Sequence, residues 1–136
     1  MTNNELLGTL VLVHPDLKDH PAGREGDIGI VAYVDSPNNQ VYLRFTDEAE
    51  AVYPSDALFM LKNKEKLFSE KSAGGSDMKL DNYKDLYKIA TLQDMGRGKD
   101  IWTALEIARD NPEIWKNSLV SVEESLGLRH NQYIRR

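Results

Sequence analysis

Cysteine is absent from this 136-residue chain. That absence excludes disulfides, thiolate nucleophiles and cysteine zinc sites, and it fits a reducing, cytoplasmic setting. Long apolar runs are missing too. Stretches such as Leu10–Val13 and Leu58–Leu61 fall far short of the ~20 residues that a membrane span needs. No basic segment leads into an apolar one near residue 1, so neither a secretory leader nor a membrane partner is expected. Basic excess is lacking as well. The net charge is −5. Residues 1–68 carry 11 acidic and 6 basic side chains, and residues 69–136 carry 11 of each. Phosphate backbones demand a surplus of Lys and Arg, so tight nucleic-acid binding is not expected of the first half. No serine stands in a G-x-S-x-G context and only three histidines are present, a poor inventory for nucleophilic catalysis. No enzyme and no cofactor is expected.

What is there is a globular composition, 40% hydrophobic and 29% charged, whose pattern changes along the chain. The first half reads as five short strands. "GTLVLVH" (Gly8–His14) is followed by a long Pro/Gly loop, then by "DIGIVAYVD" (Asp27–Asp35). "SPNN" supplies a tight turn. "QVYLRFT" (Gln40–Thr46) alternates, with Val41, Leu43 and Phe45 on one face. After an acidic turn come "AVY" (Ala51–Tyr53) and "LFMLK" (Leu58–Lys62). Such strands with turn signals between them predict a small barrel.

"SEKSAGGSD" reads as a linker over residues 69–78. Beyond it the period becomes helical. Leu80, Tyr83, Leu86, Tyr87 and Ala90 form the expected buried stripe of a first helix, which Gly96 ends as a left-handed cap. A second helix spans about residues 99–110, burying Ile101, Trp102, Leu105 and Ala108. Asn111 caps a third, with Pro112 in its first turn, and Trp115, Leu119, Val122 and Leu126 recur down to Gly127. The sequence therefore predicts an α+β chain: a five-stranded SH3-like barrel over 1–68, a linker over 69–78, and a three-helix segment with a basic tail over 79–136. Strict alternation in Asp27–Asp35 would put Ile28, Ile30, Ala32 and Val34 on one side and Val31 and Tyr33 on the other. One small barrel cannot bury both, so the helices are expected to pack on the outer face of that strand.

Gly26-Asp27-Ile28-Gly29-Ile30-Val31 resembles the G-x-x-G-x-V core of KOW-type segments, which lie in SH3-like barrels of ribosomal proteins and transcription elongation factors. The resemblance extends over about residues 6–64 and includes the "YPSDAL" turn (Tyr53–Leu58). It implies that Gly26 and Gly29 let the chain turn sharply into the second strand while Val31 points into the core. Members often touch RNA through basic and aromatic loop residues. Here the loops carry Asp16, Asp19, Glu25, Asp27, Asp47, Glu48 and Glu50 instead. The helical half resembles no family. A phosphate-cradling loop needs its glycines to feed a helix N-terminus, whereas these feed a strand.

"HPDLKDH" (His14–His20) gathers two histidines and two aspartates but in a proline-broken loop, and no metal is expected there. Gly96–Lys99 has the residues for an anion nest but reads as an interhelical turn, the motif being short and Asp100 placed to repel an anion. Tyr33, Tyr42 and Tyr53, with Asp47, Glu48 and Glu50, are the candidate binding residues. Barrels of the Tudor type hold methylated cations in such aromatic and acidic settings by cation–π attraction. Tyrosine is also an ordinary half-buried strand residue. The expectation is a binding module for a protein partner with a basic segment. The alternative is a KOW-like nucleic-acid-associated factor that uses the helical half or the tail.

Overall fold

The computed structural model describes residues 6–17, 23–68 and 79–125. The expected linker, Asp19 and His20 of the first loop, and the basic tail lie outside the described residues. The chain groups into two compact units, Met1–Met60 with Ser121–Arg136, and Leu61–Val120. It is an α+β structure built on one antiparallel sheet. Strands β1 (Leu10–Val13), β2 (Ile28–Asp35), β3 (Gln40–Arg44), β4 (Glu50–Pro54) and β5 (Leu58–Leu61) stand where strands are expected, and β6 (Leu119–Ser121) is a sixth. Their order in the sheet is β4-β3-β2-β1-β5-β6.

In the first unit, β3 alternates as its sequence dictates. Val41 and Leu43 are buried, and Tyr42 and Arg44 are exposed. The core gathers Val11, Val13, Val31, Val34, Val41, Leu43, Phe45 and Tyr53. β2 departs from strict alternation. Val31 faces Leu43 and Tyr33 faces Tyr42, so Ala32 is an extra, unpaired residue. This bulge flips the parity of the strand. Val31 and Val34, on opposite sides in a regular strand, are thereby both buried, while Ile30 and Tyr33 are exposed. The two apolar faces expected of β2 are in fact one inner face and a partly aromatic outer one.

Two turns show why their residues are there. Gly26 sits at φ +84° in a turn closed by the Asp27 amide on the Arg24 carbonyl, and it feeds β2. Asn39 takes φ +57° between β2 and β3, a conformation asparagine tolerates.

The second unit holds a helical hairpin, α1 (Leu80–Met95) and α2 (Gly98–Asp110), and a short helix α3 (Trp115–Ser118). Gly96 ends α1 at φ +73°, its amide bonded to the Leu92 carbonyl. The buried line of α1 is Asn82, Leu86 and Ile89, and Leu80, Tyr83 and Tyr87 are exposed. The expected stripe was rotated by the tyrosines, which read as core but lie outside. The buried residues of α2 are Asp100, Ala104, Leu105 and Ala108, with Ile101 and Trp102 half-buried.

The third helix differs most. Asn111 does cap, accepting the Glu113 amide at 3.2 Å, but the segment it caps is a 3-10 turn, Pro112–Ile114, followed by the single turn of α3. The chain then extends into β6 before residues 122–125 turn helical again. Where α3 ends, the Ser118 carbonyl has a partner that a longer helix would forgo: it accepts from the Lys62 amide at 2.8 Å. Leu119 and Val122 are buried all the same. Their apolar character was legible; the backbone that delivers it was not.

Candidate functional site

Cross-strand register builds a surface on the outer face of β2, β3 and β4. Ile30, Arg44 and Glu50 form one row; Tyr33, Tyr42 and Val52 form the next. Tyr33 and Tyr42 meet edge to face, with ring centroids 5.5 Å apart, and they remain 57% and 39% exposed. Such a pair is worth about 0.5–1.5 kcal/mol beyond its area, which holds both rings in place without burying them. Arg44 lies across from Glu50, its Nη2 2.8 Å from Oε2, an exposed pair of small energetic value. Beside this row lies the β3–β4 turn. There Glu48 sits at φ +69° and its amide donates to the Phe45 carbonyl at 2.8 Å.

The turn is anchored from beneath. The Arg24 guanidinium lies 4.5 Å from the centroid of the Phe45 ring and donates to Asp47 at 2.5 Å and to Asp27 at 3.3 Å. Asp47 also accepts the Ala49 amide at 3.1 Å. The Arg24 hydrogen bond is the main reason why the Asp47 carboxyl is held below its ordinary pKa, and the Ala49 amide assists. A carboxyl held low stabilises the fold above its unfolded pKa of 3.8, and loses that contribution as pH falls through the lower folded value. Asp47→Asn should therefore lower the urea midpoint near neutrality. It should also flatten the acid-side decline below about pH 4, so that variant and parent converge at the acid end. A parallel decline in both proteins would contradict the ion pair.

The structure thus brings Tyr33, Tyr42 and Glu50 to one face with Glu48 at its margin, and commits Asp47 to a structural ion pair. It places Tyr53 elsewhere. Register opposite Val41 turns Tyr53 into the core, fully buried, where desolvation raises its phenol pKa. A three-tyrosine cage is not assembled on this face. Sequence reasoning missed Ile30, which joins the surface only because of the bulge, and Arg24, the cation beneath the acidic turn.

The charge of this unit is lopsided. Between Lys18 and Lys62 the sequence has no lysine. The described residues of the unit carry two guanidiniums, Arg24 and Arg44, both engaged by carboxylates. Against them stand Asp16, Glu25, Asp27, Asp35, Asp47, Glu48, Glu50, Asp56, Glu123 and Glu124. At a second place, His14, Asp16, Leu17, Pro54, Asp56 and Ala57 line a shallow cleft of about 540 Å³. The His14 Nδ1 accepts the Asp16 amide at 2.9 Å. Among the described residues no three His, Asp or Glu side chains gather as a metal site, and no helix is long and apolar enough to cross a membrane. Between the helices Arg97 is engaged by the largely buried Asp100, Nε to Oδ2 2.7 Å, so the Gly96–Lys99 turn spends one of its two cations internally. Comparison with protein-family models, with curated proteins and with solved structures finds no match for this chain.

Proposed function

We propose that the protein is a non-catalytic, cytoplasmic binding module that engages a protein partner through a basic segment. The contact surface in this reading is the acidic β3–β4 turn and the Tyr33–Tyr42 face beside it. The first unit is read as an SH3-like barrel of KOW type over about residues 6–64, on the strength of Gly26, Gly29 and Val31. One observation carries the function: a patch with two exposed, mutually packed tyrosines adjoins the acidic β3–β4 turn, in a unit whose carboxylates outnumber its cations, and Glu48 of that turn has no ion-pair partner among the described residues. Aromatic faces and uncompensated carboxylates both favour Lys and Arg side chains, the first through cation–π attraction and the second through charge. The same surplus of carboxylates would repel phosphate.

A column test separates this from the nucleic-acid alternative. At low salt the full chain should be retained on an immobilised Lys/Arg-rich peptide and released as salt rises. It should pass through immobilised single- and double-stranded DNA and RNA under the same conditions. Tyr33→Ser/Tyr42→Ser should weaken retention on the peptide. Retention on nucleic acid with none on the peptide would transfer the function to the alternative.

A further inference from the structure

The second unit carries a surface of opposite character, independent of the one above. Tyr87, 64% exposed, and Leu92 of α1 face Thr103 and Ile107 of α2 across an open groove of about 440 Å³. The outer shoulder of α1 is aromatic: Phe68 packs on Tyr83 at 6.1 Å and on Tyr87 at 5.2 Å between ring centroids. Tyrosine and leucine left outside at helical spacing are an unspent apolar surface.

The ionic partners of the two helices are unevenly distributed. The carboxylates are largely satisfied: Asp85 accepts from Asn111, Asp94 pairs with Lys64, Glu106 accepts from the Trp102 indole, and Asp110 pairs with Arg109. Asp81, at the positive end of the α1 dipole, is the exception. The cations beside the groove are not satisfied. Lys88 lines it, Lys84 lies one turn before Lys88, and Lys99 lies one turn before Thr103 on the facing helix. None of the three has an ion-pair partner among the described residues.

We infer that this groove docks an acidic amphipathic helix of another protein. Its apolar stripe would seat on Leu92 and Ile107 against the Tyr87 ring, and its flanking carboxylates would meet Lys84, Lys88 and Lys99. Helix-in-groove recognition uses this combination of an apolar floor and a charged rim. Nucleic acid fits less well. Residues 61–120 carry 11 basic and 10 acidic side chains, which is close to balance and far from the surplus that phosphate binding needs.

The test uses the full chain and three labelled probes. The first is a synthetic peptide of about 18 residues with Leu at i, i+3, i+4 and i+7 spacing and Glu between. The second is a scrambled peptide of identical composition, and the third is an oligothymidylate. Fluorescence anisotropy should show saturable binding of the patterned peptide alone, weakening as salt rises. Lys84→Glu/Lys88→Glu, at exposed positions, should weaken it by about tenfold or more. Ile107→Gln should weaken it while circular dichroism shows the helices intact. Several results would overturn the proposal. They are no saturable binding, equal binding of the scrambled peptide, indifference to the lysine reversals, binding of the oligothymidylate alone, or a self-dimer in sedimentation that those reversals abolish.

Discussion

Gly29→Val should lower the melting temperature by on the order of 10 °C, the cost of about 2–3 kcal/mol of overpacking. Gly29 is buried in β2, opposite Val11. A Cβ there would come 3.1 and 3.2 Å from two carbons of the Phe45 ring and 3.3 Å from the Arg44 carbonyl oxygen. The ring has little room to yield, because the Arg24 guanidinium lies over it and is held by Asp27 and Asp47. The carbonyl belongs to β3, paired with β2 at Ile30. Valine suits a strand better than glycine, but that gain is at most ~1 kcal/mol and loses to the clash. Gly98→Ala, where a Cβ meets nothing within 4 Å, is the control and should be neutral or slightly stabilising. Phe45→Leu should recover part of the loss in the Gly29→Val background, the non-additivity expected of touching residues. Equal, small shifts at Gly29 and Gly98 would contradict the packing of β2 described here.

Asn111→Ala should cost about 2–4 kcal/mol, which is large for a residue that is only half-buried. Its side chain serves three bonds. The oxygen caps the turn at the Glu113 amide, and the nitrogen donates to Asn82 Oδ1 and Asp85 Oδ2, each at 2.9 Å. Losing a cap costs ~0.5–2 kcal/mol. Asn82 is buried, so stranding its oxygen adds ~1–3 kcal/mol. Asn82 Nδ2 would still donate to Glu113 at 2.9 Å, so the two terms will not add in full. Asn111→Asp separates them. It keeps the cap acceptor, gives up the donors and sets a carboxylate against Asp85, so it should recover little of the loss. A chemical-denaturation cost under ~0.5 kcal/mol for Asn111→Ala would show that the network carries no stability.

These two residues also mark how far the sequence could be read. Asn111 was visible as a cap because Asn-Pro-Glu is local grammar. Its bonds to Asn82 and Asp85, 29 and 26 residues away, are tertiary and leave no local trace. The same divide runs through the fold. The alternation of β3 and the glycine that ends α1 are set by neighbouring residues and came out as expected. The bulge at Ala32 depends on what β3 offers across the ladder. β6 depends on an amide at Lys62 that only the folded chain brings near. The tyrosines of α1 misled for a related reason: tyrosine packs well either inside or outside, and only the buried line through Asn82, Leu86 and Ile89 decides which. In the candidate surface, Tyr33, Tyr42 and Glu48 were identifiable by residue type. Tyr53 was not separable from them, because the register of the Asp47–Glu50 turn decides which side of β4 it occupies.

The most direct test of the proposed binding surface is a titration of the full, 15N-labelled chain with a Lys/Arg-rich peptide, followed amide by amide. The account predicts saturable, salt-sensitive shifts concentrated at Ile30, Tyr33, Tyr42 and Glu48, lost in Tyr33→Ser/Tyr42→Ser, with Val11 and Tyr53 in the core unmoved. Shifts that do not saturate, or that centre away from the Tyr33–Tyr42 face, would contradict it.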